Sequence, residues 1–206
     1  MATYKDVIDR IALDYLNRFD LIPEVKRAIN NTIKCYEGSR FWFNEAQTSV
    51  ACSAGQTYIS VPSDFLYLDR LEISDSGGWN RLKEESFEGI RTMNAISATS
   101  VPTHYHYRGD RFELALIPDS AYPAMVYYVK SLPTLSADSD SNAWTNEAQN
   151  LIAHAATLEM LMSVIVVPVL DRTRVPYHQS MLQMAMKELN LRNTTRFHGR
   201  LRPTTF

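Results

Sequence analysis

The sequence predicts an α+β fold: a helical bundle of about four helices, two N-terminal and two C-terminal, with a β-rich insert and an extended C-terminal arm. Three observations predict it. Apolar residues recur at three-to-four spacing towards both ends of the chain. Between them the spacing shifts to strand-like alternation punctuated by Gly and Pro. Beyond Arg192 the periodicity dissolves. The segments so defined are 1–45 (N-terminal helices), 46–131 (β-rich insert of hairpins and a short helix), 132–192 (C-terminal helices) and 193–206 (arm).

The first helix is predicted from Val7, Ile8, Ile11, Tyr15, Leu16 and Phe19, which share one face. Asp20 and Pro23 mark a break, because Pro is tolerated only in a helix's first turn. Val25, Ile29, Ile33 and Tyr36 line the second helix, and Phe41, Trp42 and Phe43 follow it.

In the insert, Gln47 to Cys52 and Gln56 to Val61 read as strands joined by a hairpin turn at Ser53-Ala54-Gly55. Leu66 to Ile73 is a further strand, and Trp79 to Leu82 its return after Gly77-Gly78. Phe87, Ile90 and Met93 predict a short helix over Glu84 to Ile96. His104 to Arg108 and Arg111 to Ile117 form a second hairpin about Gly109-Asp110, to which Tyr122 to Val129 adds a third strand.

A polar connector, Ser131 to Ala143, leads to a helix that Asn142 or Thr145 can cap. Its apolar residues, Leu151, Ile152, Ala155, Leu158, Met160, Leu161, Met162, Val164 and Ile165, fall on nearly every side. Such a helix is buried all round, in the middle of a bundle or against another subunit. Pro168 stops it, and Asp171 and Pro176 open the last helix, with Tyr177, Met181, Met184 (or Ala185) and Leu189 inward.

Composition narrows the function. The 206 residues carry 21 basic and 23 acidic side chains, so strong whole-molecule attraction to nucleic acid is excluded. Hydrophobic residues at 45% and charged residues at 21% are ordinary for a globular chain. Cys35 and Cys52 make no disulfide framework and no four-ligand zinc site. The most apolar stretch, Leu151 to Leu170, contains His154, Glu159 and Pro168, so no membrane span is expected; the default is a soluble protein of a reducing cytoplasm.

Motifs for catalysis are absent. There is no Gly-x-Ser-x-Gly, no phosphate-binding glycine loop and no His-Glu-x-x-His. Asp138, Asp140 and Asn142 resemble the start of a calcium loop, but Ala143 and Gln149 stand where it needs Gly and Glu. His104 and His106, with Asp110 and Glu113 nearby, are a second metal-like pattern, set against an exposed strand face. Arg108-Gly109-Asp110 is read as a tight turn. No catalytic residue, cofactor or metal site is assigned.

The tail after Asn193 holds no acidic residue; with Arg192 it carries Arg196, Arg200 and Arg202, interleaved with Phe197, Leu201 and Phe206. Two readings stand: a frayed terminus, or an arm that orders on a partner. His154 and the methionines Met160, Met162, Met181 and Met184 are candidates for a subunit interface, which tilts the balance towards assembly.

Arg40-Phe41-Trp42-Phe43-Asn44-Glu45, Ala54-Gly55-Gln56 with Tyr58, and Val61-Pro62-Ser63-Asp64-Phe65-Leu66 carry a resemblance. So do Pro102 with Tyr105 and Tyr107-Arg108, Leu132-Pro133-Thr134-Leu135-Ser136, and Asn142-Ala143-Trp144 with Glu147. The chain resembles the head-to-tail adaptor (connector) proteins of tailed bacteriophages. The resemblance implies a virion protein of the head–tail neck, forming a ring, usually dodecameric, beneath the portal protein. That ring extends the channel through which double-stranded DNA passes and offers a platform to the tail or nozzle protein. It also implies a C-terminal segment that grips the portal, here Arg192, Arg196, Phe197, Arg200, Leu201, Arg202 and Phe206. The β-rich insert is a departure from the smallest, almost wholly helical adaptors. Two rival readings remain: a ligand-binding module taking carbohydrate through Trp79, Tyr105 and Tyr107, and a metal-dependent hydrolase built on His104 and His106.

Overall fold

The structure, a computed structural model, describes residues 1–95, 99–163 and 172–199, the side chains of 172 and 195–199 excepted. It is mixed α and β, with six α-helices and two four-stranded sheets among these residues. The chain divides into two compact units. Met1–Asn44 and the chain from Leu132 onward make one, and Glu45–Ser131 the other.

The helical unit opens with α1 (Tyr4–Asp9), started by a capping box. The Thr3 hydroxyl accepts from the Asp6 amide at 3.3 Å, and the Asp6 carboxylate accepts from the Thr3 amide at 2.7 Å. The helix widens into a π turn over Arg10–Tyr15, and Asn17 (φ 51°) ends it. The three-to-four period therefore does not reach Phe19, which is 66% exposed rather than inward. α2 (Ile22–Glu37) follows with Pro23 in its first turn. Its buried residues are Val25, Ala28, Ile29 and Thr32.

After α2 the chain knots around Asn44. Its side-chain carbonyl accepts from the Phe41 amide and its amide donates to the Ser39 carbonyl, both at 2.8 Å. This turns Phe41 and Phe43 onto Trp144, which both rings meet edge-on at 5.7 and 5.2 Å. Trp144 sits on α4 (Ala143–Glu147), and Asn142, not Thr145, is its cap.

α5 (Gln149–Met162) is the central helix of this unit. Leu151, Ile152, Ala153, Ala156 and Leu161 are buried on its different sides, against neighbours that include α2 and α6 (Val175–Gly199). Pro168 and Asp171, expected to end one helix and open the next, lie outside the described residues.

α6 corrects the sequence reading twice. Its inward face is His178, Ala185 and Leu189, with Leu182 half-buried, whereas Tyr177 and Met184 are exposed. Its helix also continues through Gly199, so the extended arm does not begin at residue 193. Polar anchoring carries the helix on where apolar spacing has lapsed. The Asn193 side chain accepts from the Trp42 amide and donates to the Arg40 carbonyl, each at 2.8 Å. The Thr194 hydroxyl donates to the Asn190 carbonyl.

Among its described residues the second unit holds eight strands: β1 (Glu45–Cys52), β2 (Tyr58–Ser60), β3 (Phe65–Asp75), β4 (Gly78–Arg81), β5 (Lys83–Glu84), β6 (His104–Arg108), β7 (Arg111–Ala115) and β8 (Tyr122–Lys130). Sheet order is β1-β8-β3-β4 in one sheet and β2-β7-β6-β5 in the other. Cys52, Ile59, Leu71, Ile73, Phe112, Leu114, Ala124 and Val126 form the shared core.

Two strand pairings differ from expectation. Ser53-Ala54-Gly55 is a turn but not a hairpin, because β1 pairs with β8 and β2 with β7. Gly55, at φ +75°, donates to the Pro118 carbonyl and turns the chain from one sheet to the other. β8 likewise joins β1 and β3 rather than the β6–β7 hairpin, the chain leaving β7 at Leu116 in a left-handed conformation (φ 67°). The β6–β7 hairpin itself forms about Gly109 (φ 63°). The short helix, α3 (Phe87–Asn94), starts later than expected, since Lys83 and Glu84 pair with β6 and Ser86 caps it.

Candidate functional site

The helical unit carries a buried pair of histidines. His154 on α5 and His178 on α6 are each 1% exposed. Their Nδ1 atoms lie 3.0 Å apart. Two imidazoles at this distance share one proton, so one Nδ1 donates and the other accepts. Tyr15 stacks on His154 at 5.0 Å, and its hydroxyl lies 3.4 Å from His154 Nε2. Burial, then the neighbouring His178 and Arg10, push the His154 pKa down from 6.5 to about 4. Burial, then Arg174, lowers that of His178 as well. The pair is therefore a neutral latch joining the π turn, α5 and α6. Sequence reasoning left His154 as a packed or an interface residue, of which the structure shows the packed one, and passed over His178. Lying 24 residues apart on two different helices, they gave no local signal.

Of the other candidate interface residues, Met160 is 3% exposed and packs inside the unit. Met162 and Met184 are 65% and 61% exposed, and Met181 is half-buried.

Arg192, the root of the expected arm, sits on α6. It pairs with Glu188 at 2.5 Å and with Glu147 at 3.8 Å. Asn146, Glu147, Glu188 and Arg192 line a small cavity of about 140 Å³ between the start of α5 and α6. Arg196 and Phe197 fall on the last turns of α6. Arg200, Leu201, Arg202 and Phe206 lie outside the described residues.

The patterns considered for metal or ligand chemistry are dispersed. Asp140 accepts from the Ser136 and Ala137 amides at 2.8 Å, and Asp138 pairs with Lys26. Both carboxylates thus tie down the connector. His104 meets the Thr103 hydroxyl and His106 the Glu85 carbonyl, while Glu113 holds Arg108 and Asp110 holds Arg111. No group of three or more metal-ligating side chains converges among the described residues. Trp79 is on the sheet opposite Tyr105 and Tyr107, and Tyr105 is buried against Phe112. The three aromatics make no common ligand face. No helix among the described residues is long and apolar enough to cross a membrane.

What remains among the described residues is a scaffold: a helical unit with a long terminal helix, and a β unit whose candidate metal and ligand residues do not converge. The family model of the SU10 adaptor protein matches residues 2–204. The chain belongs to the SU10 adaptor protein family. No curated protein matches the sequence. The match runs across both units and includes the terminal helix and the residues after it, so the likeness is not confined to one segment. SU10 adaptor membership gives the chain a structural role in a phage particle.

Proposed function

We propose that this SU10 adaptor is the subunit of a ring, usually dodecameric, that sits under the portal protein, extends the DNA channel and receives the tail or nozzle protein. The observation that carries the reading is the family match over residues 2–204, nearly the whole chain. The charge balance supports it: a channel that passes DNA must not hold it, and phosphate contacts from Lys and Arg dominate DNA affinity. With 21 basic against 23 acidic residues the chain has no excess to spend on such contacts.

In this reading the grip on the portal is the segment after α6, Arg200, Leu201, Arg202 and Phe206, together with Arg196 and Phe197 on its last turns. Arg192 is its root, braced by Glu188 and Glu147. The exposed Met162 and Met184 are available to a neighbouring subunit. The ring assembles in the host cytoplasm and ends in the neck of the virion.

Truncation after Gly199 tests the grip. It leaves Asn193 and its two hydrogen bonds in place, so the melting temperature stays within about 2 °C of the full chain, as for other exposed termini. Portal binding in a pull-down falls at least tenfold. A truncated chain that joins portals as well as the full chain does would overturn the assignment.

A further inference from the structure

Three of the four sheet edges of the β unit are short: β4 has four residues, β2 three and β5 two. The fourth, β1, is an eight-residue strand that pairs with β8 in unbroken one-to-one register. Proteins blunt a long edge with Lys, Pro or a bulge, because its outward N–H and C=O groups template another strand. β1 has none of these devices, and Glu45 at its start is its only charged residue. Among the described residues, nothing from Ala46 to Cys52 makes a backbone hydrogen bond outside the β1–β8 ladder. An open edge of this length is built to be paired.

The chain itself holds a strand that fits. Along β1-β8-β3-β4 every neighbouring pair is antiparallel, so β4 of a second copy laid beside β1 is antiparallel too. The faces also agree. Ala124 and Val126 on β8 are buried and stand opposite Val50 and Thr48, which puts Glu45, Gln47 and Ser49 on the outer face. On β3, Leu71 and Ile73 are buried, so Arg81 and Trp79, opposite Glu72 and Ser74, share that outer face. A register that preserves both faces shifts only in steps of two. Charge selects among them: Arg81 opposite Glu45 makes a cross-strand pair of opposite sign, with Trp79 over Gln47.

We propose that β1 of one subunit and β4 of a second copy of this chain join edge to edge, so that the sheet continues from subunit to subunit. The contact is heterologous, using two different edges, and such contacts close into rings when the rotation permits. The proposal rests on the ring reading above and names a surface that makes the ring.

A disulfide separates the two. Within one subunit β8 and β3 lie between β1 and β4, so positions 47 and 79 are at least about 14 Å apart, against the roughly 7 Å limit for a disulfide. A Gln47→Cys/Trp79→Cys bond must therefore form between subunits. The background is Cys35→Ser, since Cys35 is exposed, and Cys52 stays buried in the core. The full-length variant is mixed with the portal, its assembly mass is read by light scattering, and it is oxidised and run without reductant. The expected result is a ladder extending beyond dimers, with each single-cysteine variant stopping at dimers. Ser49→Cys with Trp79→Cys, one register step away, is expected to link less. An assembly of full mass that gives no ladder from either pair overturns the edge pairing and leaves the ring standing. A subunit that stays monomeric with the portal and gives no ladder overturns both.

Discussion

Alanine at position 144 is expected to destabilise the helical unit by about 3–5 kcal/mol, the range for removing a large aromatic from a core. Trp144 is 1% exposed, and its ring is boxed by Phe41 and Phe43. Those rings are held in place by the Asn44 knot, so the cavity cannot collapse cheaply. Urea unfolding followed by circular dichroism measures the loss. Phenylalanine at the same position costs far less, under about 2 kcal/mol, because the indole N–H has no hydrogen-bond partner to lose. Equal losses for Ala and Phe would contradict this account of the site, since they would assign its stability to the N–H and not to the filled volume.

The second large effect is acid destabilisation through the histidine latch. The His154 pKa is lowered in the folded chain to about 4 from 6.5, so between those values the unfolded chain binds the extra proton. Stability is thus fully present above about pH 7 and is lost as the pH falls towards 4, by about 3 kcal/mol for His154 if the whole shift is realised. His178, also lowered, adds to the same slope. Once both imidazoles are protonated, two N–H groups stand face to face at 3.0 Å beside Arg10 and Arg174. Carboxylates whose pKa is depressed, such as Asp20 and Asp140, lose their contribution only at lower pH, below the ordinary carboxylate range. The interval from about pH 6.5 to 5 therefore isolates the histidines. Chemical denaturation across it shows a falling midpoint in the natural chain and a nearly flat one in a His154→Gln/His178→Gln variant. An equal slope in both would remove the latch from the explanation.

How much of this was legible in the sequence depends on what held each element. α5 was readable because apolar residues on every side leave a helix only one environment. The β6–β7 hairpin was readable because Gly109-Asp110 is the turn chemistry of a tight connection. β1 and β2 were misjoined because a turn at Gly55 looks the same whether the chain reverses within one sheet or crosses to the next. Only the partners β8 and β7, far along the chain, decide that. α6 was shortened because its continuation rests on the Asn193 amide gripping the backbone at Arg40 and Trp42, which has no periodicity to detect. Its inward face was right at Leu189 and at the alternative Ala185, but Tyr177 was chosen over the buried His178 and Met184 is exposed. The family was legible through short motifs such as Arg40-Phe41-Trp42-Phe43-Asn44. These now read as structural words: Asn44 ties the loop and Phe41 and Phe43 close on Trp144.

The central claim is that this chain is a ring subunit built on a portal. The molar mass of the purified protein, measured by light scattering alone and after mixing with the portal from the same phage, tests it most directly. The account predicts a stable complex holding one adaptor per portal subunit, whatever the state of the free protein. Two separate masses at micromolar concentration, with no shared species, would contradict it.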